Sequence, residues 1–312
     1  MSVRVLLAAA VALLLLPGRA HAHLAAARGS DFEAVVWQLL PVFAAAFAAL
    51  IYGWGVRALW RRAGRGRGVR RWQAGCFCSA LGVWLLAVVS PLDAVAEDLF
   101  FAHMVQHLLL MLIMAPLLAV CGAPAAVSWA LSRRVLARLG ALLKRRPARM
   151  LGWLLAGPTG ALVLHTAAVW GWHLPAPYEA ALRDEGLHAL EHLTFVGTSV
   201  VFWRVLVRAG RPGGIDAGLA VLYVFAAALQ GGLLGMLITF APRPWYPLHV
   251  ARAPAWGLDP LDDQQLAGVL MWVPSGVVYL AAALWLFGRW LSAPGTRGAA
   301  GRPQPMTGGS DA

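Results

Sequence analysis

Residues 100–121 have the sequence FFAHMVQHLLLMLIMAPLLAVC, an almost uninterrupted apolar run that begins with His103 and His107. A run of about 20 apolar residues is long enough to cross the hydrocarbon core of a bilayer as a helix. Residues four apart lie on one face of a helix, so this stretch predicts a membrane span that points two imidazoles in one direction. A second pair with the same spacing, His188 and His192, begins another apolar stretch.

The composition of the whole chain is that of a membrane protein. It is 60% hydrophobic and only 13% charged, which is far from the composition of a soluble domain. We therefore predict an all-α fold, a polytopic membrane helix bundle with seven transmembrane helices. The predicted spans are at about 34–56, 73–90, 100–121, 150–173, 188–207, 217–240 and 265–287.

The first residues have the pattern of a secretory signal peptide. Arg4 precedes a short apolar run that ends at Pro17, and Ala20-His21-Ala22 is an A-x-A cleavage pattern. An uncleaved signal anchor is the alternative. The predicted organisation is a signal peptide at 1–22, a seven-helix membrane domain at 23–290 and a disordered cytoplasmic tail at 291–312.

Charge is distributed unequally between the connections of the predicted helices. Connections 57–72 and 123–149 each carry seven basic residues, whereas the alternate set holds twelve of the fourteen acidic residues, counting Glu191. Because basic connections stay in the cytoplasm, this predicts an outer N-terminus and an inner C-terminus. The net charge of +12 is then a topology signal, and no nucleic-acid partner is expected.

This topology brings most of the histidines to one depth, at the outer face of the membrane. Ionisable residues inside membrane spans are costly and usually functional, and imidazole is a good ligand for copper and zinc. We therefore predict a metal or proton site there, since a role in packing and capping explains a single histidine better than a whole layer. The predicted metal ligands are His103, His107, His173, His188 and His192.

Several further residues are candidates for auxiliary roles around this layer. Thioethers favour copper(I), and carboxylates or amides can orient a ligating imidazole by accepting its other N–H. The candidates are Met104, Gln106, His165, Glu191, His249 and Met271, with Asp93, Glu97 and Asp98 as further acceptors.

Two other kinds of metal protein are compatible with parts of the pattern. His188-Ala-Leu-Glu191-His192 matches H-x-x-E-H, in which the glutamate of a zinc protease activates a metal-bound water. Histidines on facing helices could instead ligate haem b, as in a membrane cytochrome. The four-residue spacing argues against that site, because both histidines of one pair would lie near one iron.

Several longer motifs, taken in order, resemble one known family. They are His103-Met-Val-Gln-His107 followed by Ala115-Pro116, Trp172-His173-Leu-Pro175 with Tyr178, the motif at 188–192, Pro244-Trp-Tyr-Pro247, the segment GLDPLDDQQLAG at 257–268, and Met271-Trp-Val-Pro274. Over about 34–290 the chain resembles the multi-span CtaG-type assembly factors of caa-type cytochrome c oxidase.

The resemblance implies a multi-pass protein of the bacterial cytoplasmic membrane that helps to supply copper to a haem-copper oxidase. The five predicted ligands match the motif histidines of the family, and Asp262 and Asp263 match its acidic loop, for which the residues themselves suggest no role. We expect copper as the metal, oxidase subunits and the lipid bilayer as partners, and no enzymatic activity. The alternatives are a metal-free membrane chaperone for oxidase subunits and a haem b cytochrome.

Overall fold

The computed structural model describes residues 32–147, 152 and 157–292, and over these residues the protein is entirely helical. The predicted signal peptide and all but the first two residues of the predicted tail lie outside them. The helices are α1 Phe32–Ala63, α2 Arg71–Val88, α3 Pro91–Asp98, α4 Phe100–Leu108, α5 Ala115–Val120, α6 Ala123–Ala130, α7 Arg133–Lys144, α8 Pro158–Trp172, α9 Pro175–Ala181, α10 Glu185–Arg208, α11 Ala217–Thr239, α12 Pro247–Arg252 and α13 Pro260–Leu291.

Six helical stretches of the described residues are long and apolar enough to cross a membrane, which confirms a polytopic helical membrane protein. They are Leu39–Ala63 within α1, α2, the continuous helix Phe100–Val120, α10, α11 and α13. The predicted fourth span corresponds to α8, which has 15 residues, and part of its predicted length lies outside the described residues. The count of seven and the orientation in the membrane stay predictions.

The connections next to the histidines are short helices rather than open loops. Helices α3, α9 and α12 each begin with a proline at the first helical position, where a missing N–H costs nothing and φ is already helical. A 3₁₀ turn, Ala253–Trp256, follows α12. These segments cover one end of the bundle.

A π-helical segment, Leu109–Met114, joins α4 to α5. Within it the Ala115 N–H donates to Leu110 O, five residues back, and the next residue, Pro116, has no N–H to continue that pattern. The carbonyl of Met111 instead accepts a hydrogen bond from Trp203 Nε1 of α10, with an N–O distance of 3.0 Å. The lack of an N–H at Pro116 therefore accounts for this wide turn. The carbonyl of Met111 that it leaves free is hydrogen-bonded by a neighbouring helix.

Helices α11 and α13 pack with their backbones in close contact. Gly235 of α11 lies against Gly268 of α13, and an added Cβ at Gly235 would meet Trp272 Cβ at 2.9 Å. The Gly231-x-x-x-Gly235 pattern predicts such close packing. The prediction is confirmed for Gly235 only, since a Cβ at Gly231 would meet nothing within 4 Å.

Candidate metal centre

The two histidine pairs face each other across α4 and α10. Within each pair, His103 with His107 and His188 with His192, the ring centroids are 4.3 Å apart. Between the helices, the centroids of His103 and His188 are 5.4 Å apart, as are those of His107 and His192. The four rings, which we call the histidine tetrad, thus form a compact group that the sequence could not show to be in contact.

His173 extends the tetrad from the end of α8, with its ring centroid 6.2 Å from that of His107. Its Nδ1 lies 2.6 Å from the carbonyl oxygen of Val169. Because a carbonyl only accepts, Nδ1 is the nitrogen that carries the proton, and Nε2 keeps its lone pair. That Nε2 is 3.4 Å from the sulfur of Met104, so a ligand nitrogen and a thioether lie side by side.

Glu191 is fully buried among these rings. Its Oε1 lies 3.7 Å from Nε2 of His107. One ligand atom each from His103, His188 and Glu191 lie within 4.8 Å of one another, a spacing that could hold a metal ion. Glu191 was predicted as an acceptor that orients a ligand, but this geometry also allows its carboxylate to be a ligand itself.

The polar atoms of this group do not satisfy one another. A buried polar atom without a partner costs about 1–3 kcal/mol, so folded proteins rarely leave several together. These unpaired atoms are typical of a site that binds a ligand. A self-contained hydrogen-bond network would leave few of them without a partner. The buried atoms that have no hydrogen-bond partner among the described residues include Nε2 of His103, both ring nitrogens of His107, Nε2 of His188 and His192, and both carboxylate oxygens of Glu191.

His249 supports the tetrad rather than joining it. Its Nδ1 donates to the carbonyl of Asp98 at 3.1 Å, and its Nε2 accepts from the hydroxyl of Tyr178 at 2.8 Å. Burial lowers the pKa of His249, in keeping with this neutral tautomer. Since both nitrogens are occupied, the ring acts as a fixed anchor for Tyr178, whose own ring lies 5.2 Å from that of His103. The role of Tyr178 in supporting the tetrad was missed from the sequence.

The other auxiliary candidates lie around the tetrad. Gln106 Nε2 donates to the carbonyl of Ala87 and to Asp93 Oδ1, both at 2.7 Å, so its amide nitrogen is paired with α2 and α3 and not with a histidine. His165, deeper in α8, lies 3.4 Å from the Ser199 hydroxyl. Met271 of α13 lines a cavity next to the tetrad together with Met104 and His165.

Asp263 acquires a clear structural role. Its two carboxylate oxygens accept hydrogen bonds from the backbone N–H groups of Phe100 and Phe101, both at 2.9 Å. These are the first two N–H groups of α4, which have no acceptor within the helix and lie at its positive end. A residue of α13 therefore holds the start of the helix that carries His103 and His107. Asp262, by contrast, is exposed.

We expect Asp263→Ala to lower the free energy of unfolding by about 2 kcal/mol, because it leaves two N–H groups at the start of α4 without an acceptor. If the tetrad holds a metal ion, the affinity for that ion should fall as well, since α4 positions half of the tetrad. Thermal unfolding of the detergent-purified variant measures the first effect. Asp262→Ala is the matched control and should change stability by less than about 0.5 kcal/mol. Equal losses in the two variants would contradict the capping role.

The partly buried carboxyl group of Asp93 in α3 predicts that the stability of the protein depends on pH. Burial, assisted by the carboxylates of Glu97 and Glu185, raises the pKa of Asp93 to about 7, although the hydrogen bond from Gln106 opposes the shift. The folded protein then holds a proton that the unfolded chain releases above about pH 4, so this residue makes stability fall as the pH rises from 4 to 7.

Asp93→Asn should therefore be more stable than the unsubstituted protein at pH 8, by about 1 kcal/mol, and the difference should shrink towards pH 5. The uncharged amide still accepts the hydrogen bond from Gln106. Melting temperatures measured from pH 5 to pH 8 check this, with the exposed Asp262→Asn as control. A difference that does not vary with pH would show that Asp93 is charged throughout.

The comparison with known proteins agrees with the sequence motifs. No curated protein and no solved structure gives a significant match to the chain. Residues 50–293 match the family model described as the cytochrome c oxidase caa3 assembly factor, a stretch that contains the tetrad, His173 and Asp263. This confirms the resemblance inferred from the motifs, and the chain belongs to the cytochrome c oxidase caa3 assembly factor family.

Proposed function

We propose that this assembly factor binds one copper ion as cargo at the tetrad and His173, and passes it to a haem-copper oxidase that lacks copper. The observation that carries the proposal is the convergence of five imidazoles from three helices whose buried nitrogens largely lack partners among the described residues. One nitrogen each of His103 and His188 already lies, together with a carboxylate oxygen of Glu191, within 4.8 Å of the others, a spacing that could hold an ion.

Copper(I) fits the donor set better than a harder ion. Neutral imidazoles and the thioether of Met104 are donors that suit copper(I), and a monovalent ion at this depth costs less than a divalent one. More nitrogens converge than a two- to four-coordinate ion requires, so ligands can exchange one at a time. A cargo site needs this property, because the ion must leave as well as enter.

The proposed location is the bacterial cytoplasmic membrane, with the tetrad at its outer face. The two ends of the histidine-bearing helices differ in charge. Helix α10 begins with His188 and His192 and ends with Arg204 and Arg208. Since arginine-rich ends remain in the cytoplasm, the histidine end is the outer one.

The proposed role is not enzymatic, because transfer of the ion makes and breaks only metal–ligand bonds. The geometry disfavours the haem alternative. The facing rings of His103 and His188 are 5.4 Å apart and nearly parallel, which leaves no room for a porphyrin between them.

The test is the copper content of the oxidase in cells that lack this protein. We expect the unsubstituted protein to restore both copper and activity to the purified oxidase. The double variant His107→Ala/His192→Ala should restore neither, although it is present in the membrane in equal amount. If the double variant restores a copper-loaded oxidase, the protein acts as a metal-free chaperone and the copper proposal is wrong.

A further inference from the structure

A second group of soft ligands lies deeper in the bundle than the tetrad. It surrounds the cavity of about 40 Å³, more than the roughly 10–15 Å³ that one water needs. His107 and His173 line one side of the cavity and so belong to both groups. The remaining side chains that bear sulfur or imidazole around it are those of Met104, Met111, Met271 and His165.

Three of the eight methionines of the chain converge on this small space from different segments. Met104 comes from α4, Met111 from the π-helical segment and Met271 from α13. Met114, only three residues after Met111, packs instead with Ala80 of α2 and its neighbours in a separate core cluster. Thioethers together with imidazole form a donor set that favours copper(I).

The lack of negatively charged side chains around the cavity also favours a monovalent ion. None of the described residues that line the cavity carries a carboxylate or a thiol, and its polar groups include Gln230 and Ser275. A divalent ion would have no counter-charge within the membrane, whereas a single positive charge on a soft ion can be shared among thioethers and imidazoles. The contact of 3.4 Å between His173 Nε2 and Met104 Sδ links this space to the tetrad.

We propose that this cavity is a second copper(I) position, with Met111, Met271 and His165 as ligands and with Met104 and His173 as the bridge to the tetrad. The ion would move between the two positions by exchange of neutral ligands, without a change of oxidation state. This inference rests on the proposed function, since it takes copper as the cargo, but it assigns a site and ligands that the tetrad does not include.

The test is anaerobic titration of the full-length protein in detergent with copper(I) against a competing chelator, combined with X-ray absorption. We expect two bound copper ions and scattering from sulfur. Met111→Leu/Met271→Leu should bind one ion with mostly nitrogen ligands. Met114→Leu, the control on the same helix, should bind two. Methionine and leucine have similar volumes, so all variants should fold.

The variant His188→Ala/His192→Ala separates the two proposals, because neither residue lines the cavity. It should keep one ion with sulfur ligands. The cavity proposal is overturned if the unsubstituted protein binds a single ion without sulfur, or if the double leucine variant still binds two. If the double alanine variant loses no copper while the leucine variant loses its ion, the tetrad proposal fails and the cavity site stands.

Discussion

Replacing His107 and His192 together by alanine should weaken copper binding at the tetrad by at least ~100-fold. These two rings face each other on α4 and α10, with centroids 5.4 Å apart, so the substitution removes one ligand from each side of the group. Loss of residues that merely orient a ligand already costs about 10–100-fold in metal affinity, and loss of two ligands must exceed this.

The same variant should remain folded. Three of the four ring nitrogens, both of His107 and Nε2 of His192, have no hydrogen-bond partner among the described residues, so the substitution removes no hydrogen bond at these atoms. Equilibrium dialysis with copper(I) and a competing chelator measures the affinity. Leu193→Ala is the matched control, because Leu193 follows His192 on the same helix but is 67% exposed on the outside of the bundle. Similar affinities in the two variants would exclude the tetrad as a ligand set.

Gly268→Ala should destabilise the bundle by about 3 kcal/mol, the upper end of the range for overpacking. A Cβ at this position would clash with Oγ1 of Thr239, and it would lie 2.6 Å from the backbone N of Thr239 and 2.8 Å from the carbonyl oxygen of Gly235. Two of these three atoms belong to the backbone of α11, so no side-chain rotation relieves the clash and the helices must separate.

The effect should reach the metal site, since α13 also carries Asp263, which holds the start of α4. The melting temperature and the copper affinity should therefore fall together. Gly276→Ala is the control, because it lies on the same helix and its added Cβ would meet nothing within 4 Å. A melting temperature of Gly268→Ala equal to that of Gly276→Ala would show that α11 and α13 do not pack at this glycine.

The sequence predicted which histidines lie at the same end of the bundle, because this depends on the helical period and on the charge of the connections. The period of the α-helix puts His103 and His107 on one face, and the alternation of basic connections puts the second pair at the same end of the bundle. Whether the pairs touch depends on which helices are neighbours. Hydropathy and charge carry no information on that point, and the contact of α4 with α10 emerged only from the structure.

The residues that were missed or left without a role act across long sequence separations. Asp263 caps a helix that begins 163 residues earlier, so no local capping pattern reveals it. The position of Tyr246 in the long connection before α13 is compatible with two predictions, an aromatic belt at the membrane surface or a loop that covers the histidines, and the structure favours the second. Tyr246 is 2% exposed and donates a hydrogen bond to the carbonyl of His173 at 2.8 Å. Its hydroxyl finds a better partner inside the bundle than at the interface.

The membrane helices were predicted, but their boundaries differ from those in the structure. The π-helical segment was not predicted. A proline such as Pro116 inside an apolar span predicts a tolerated kink in a membrane helix. The structure places a π-helical segment, Leu109–Met114, just before it, and the indole of Trp203 supplies the missing donor. A proline shows that a hydrogen bond will be lost, but which group replaces it depends on tertiary packing.

The most direct test of the central claim is transfer of copper between the purified proteins. The assembly factor is loaded with one equivalent of copper(I) under anaerobic conditions and mixed, in lipid nanodiscs, with an oxidase that lacks copper. We predict that copper leaves the tetrad and appears in the oxidase, whose activity rises in proportion, and that His107→Ala/His192→Ala delivers none. An oxidase that gains copper no faster from the loaded protein than from a chelator buffered to the same free copper(I) would contradict the account.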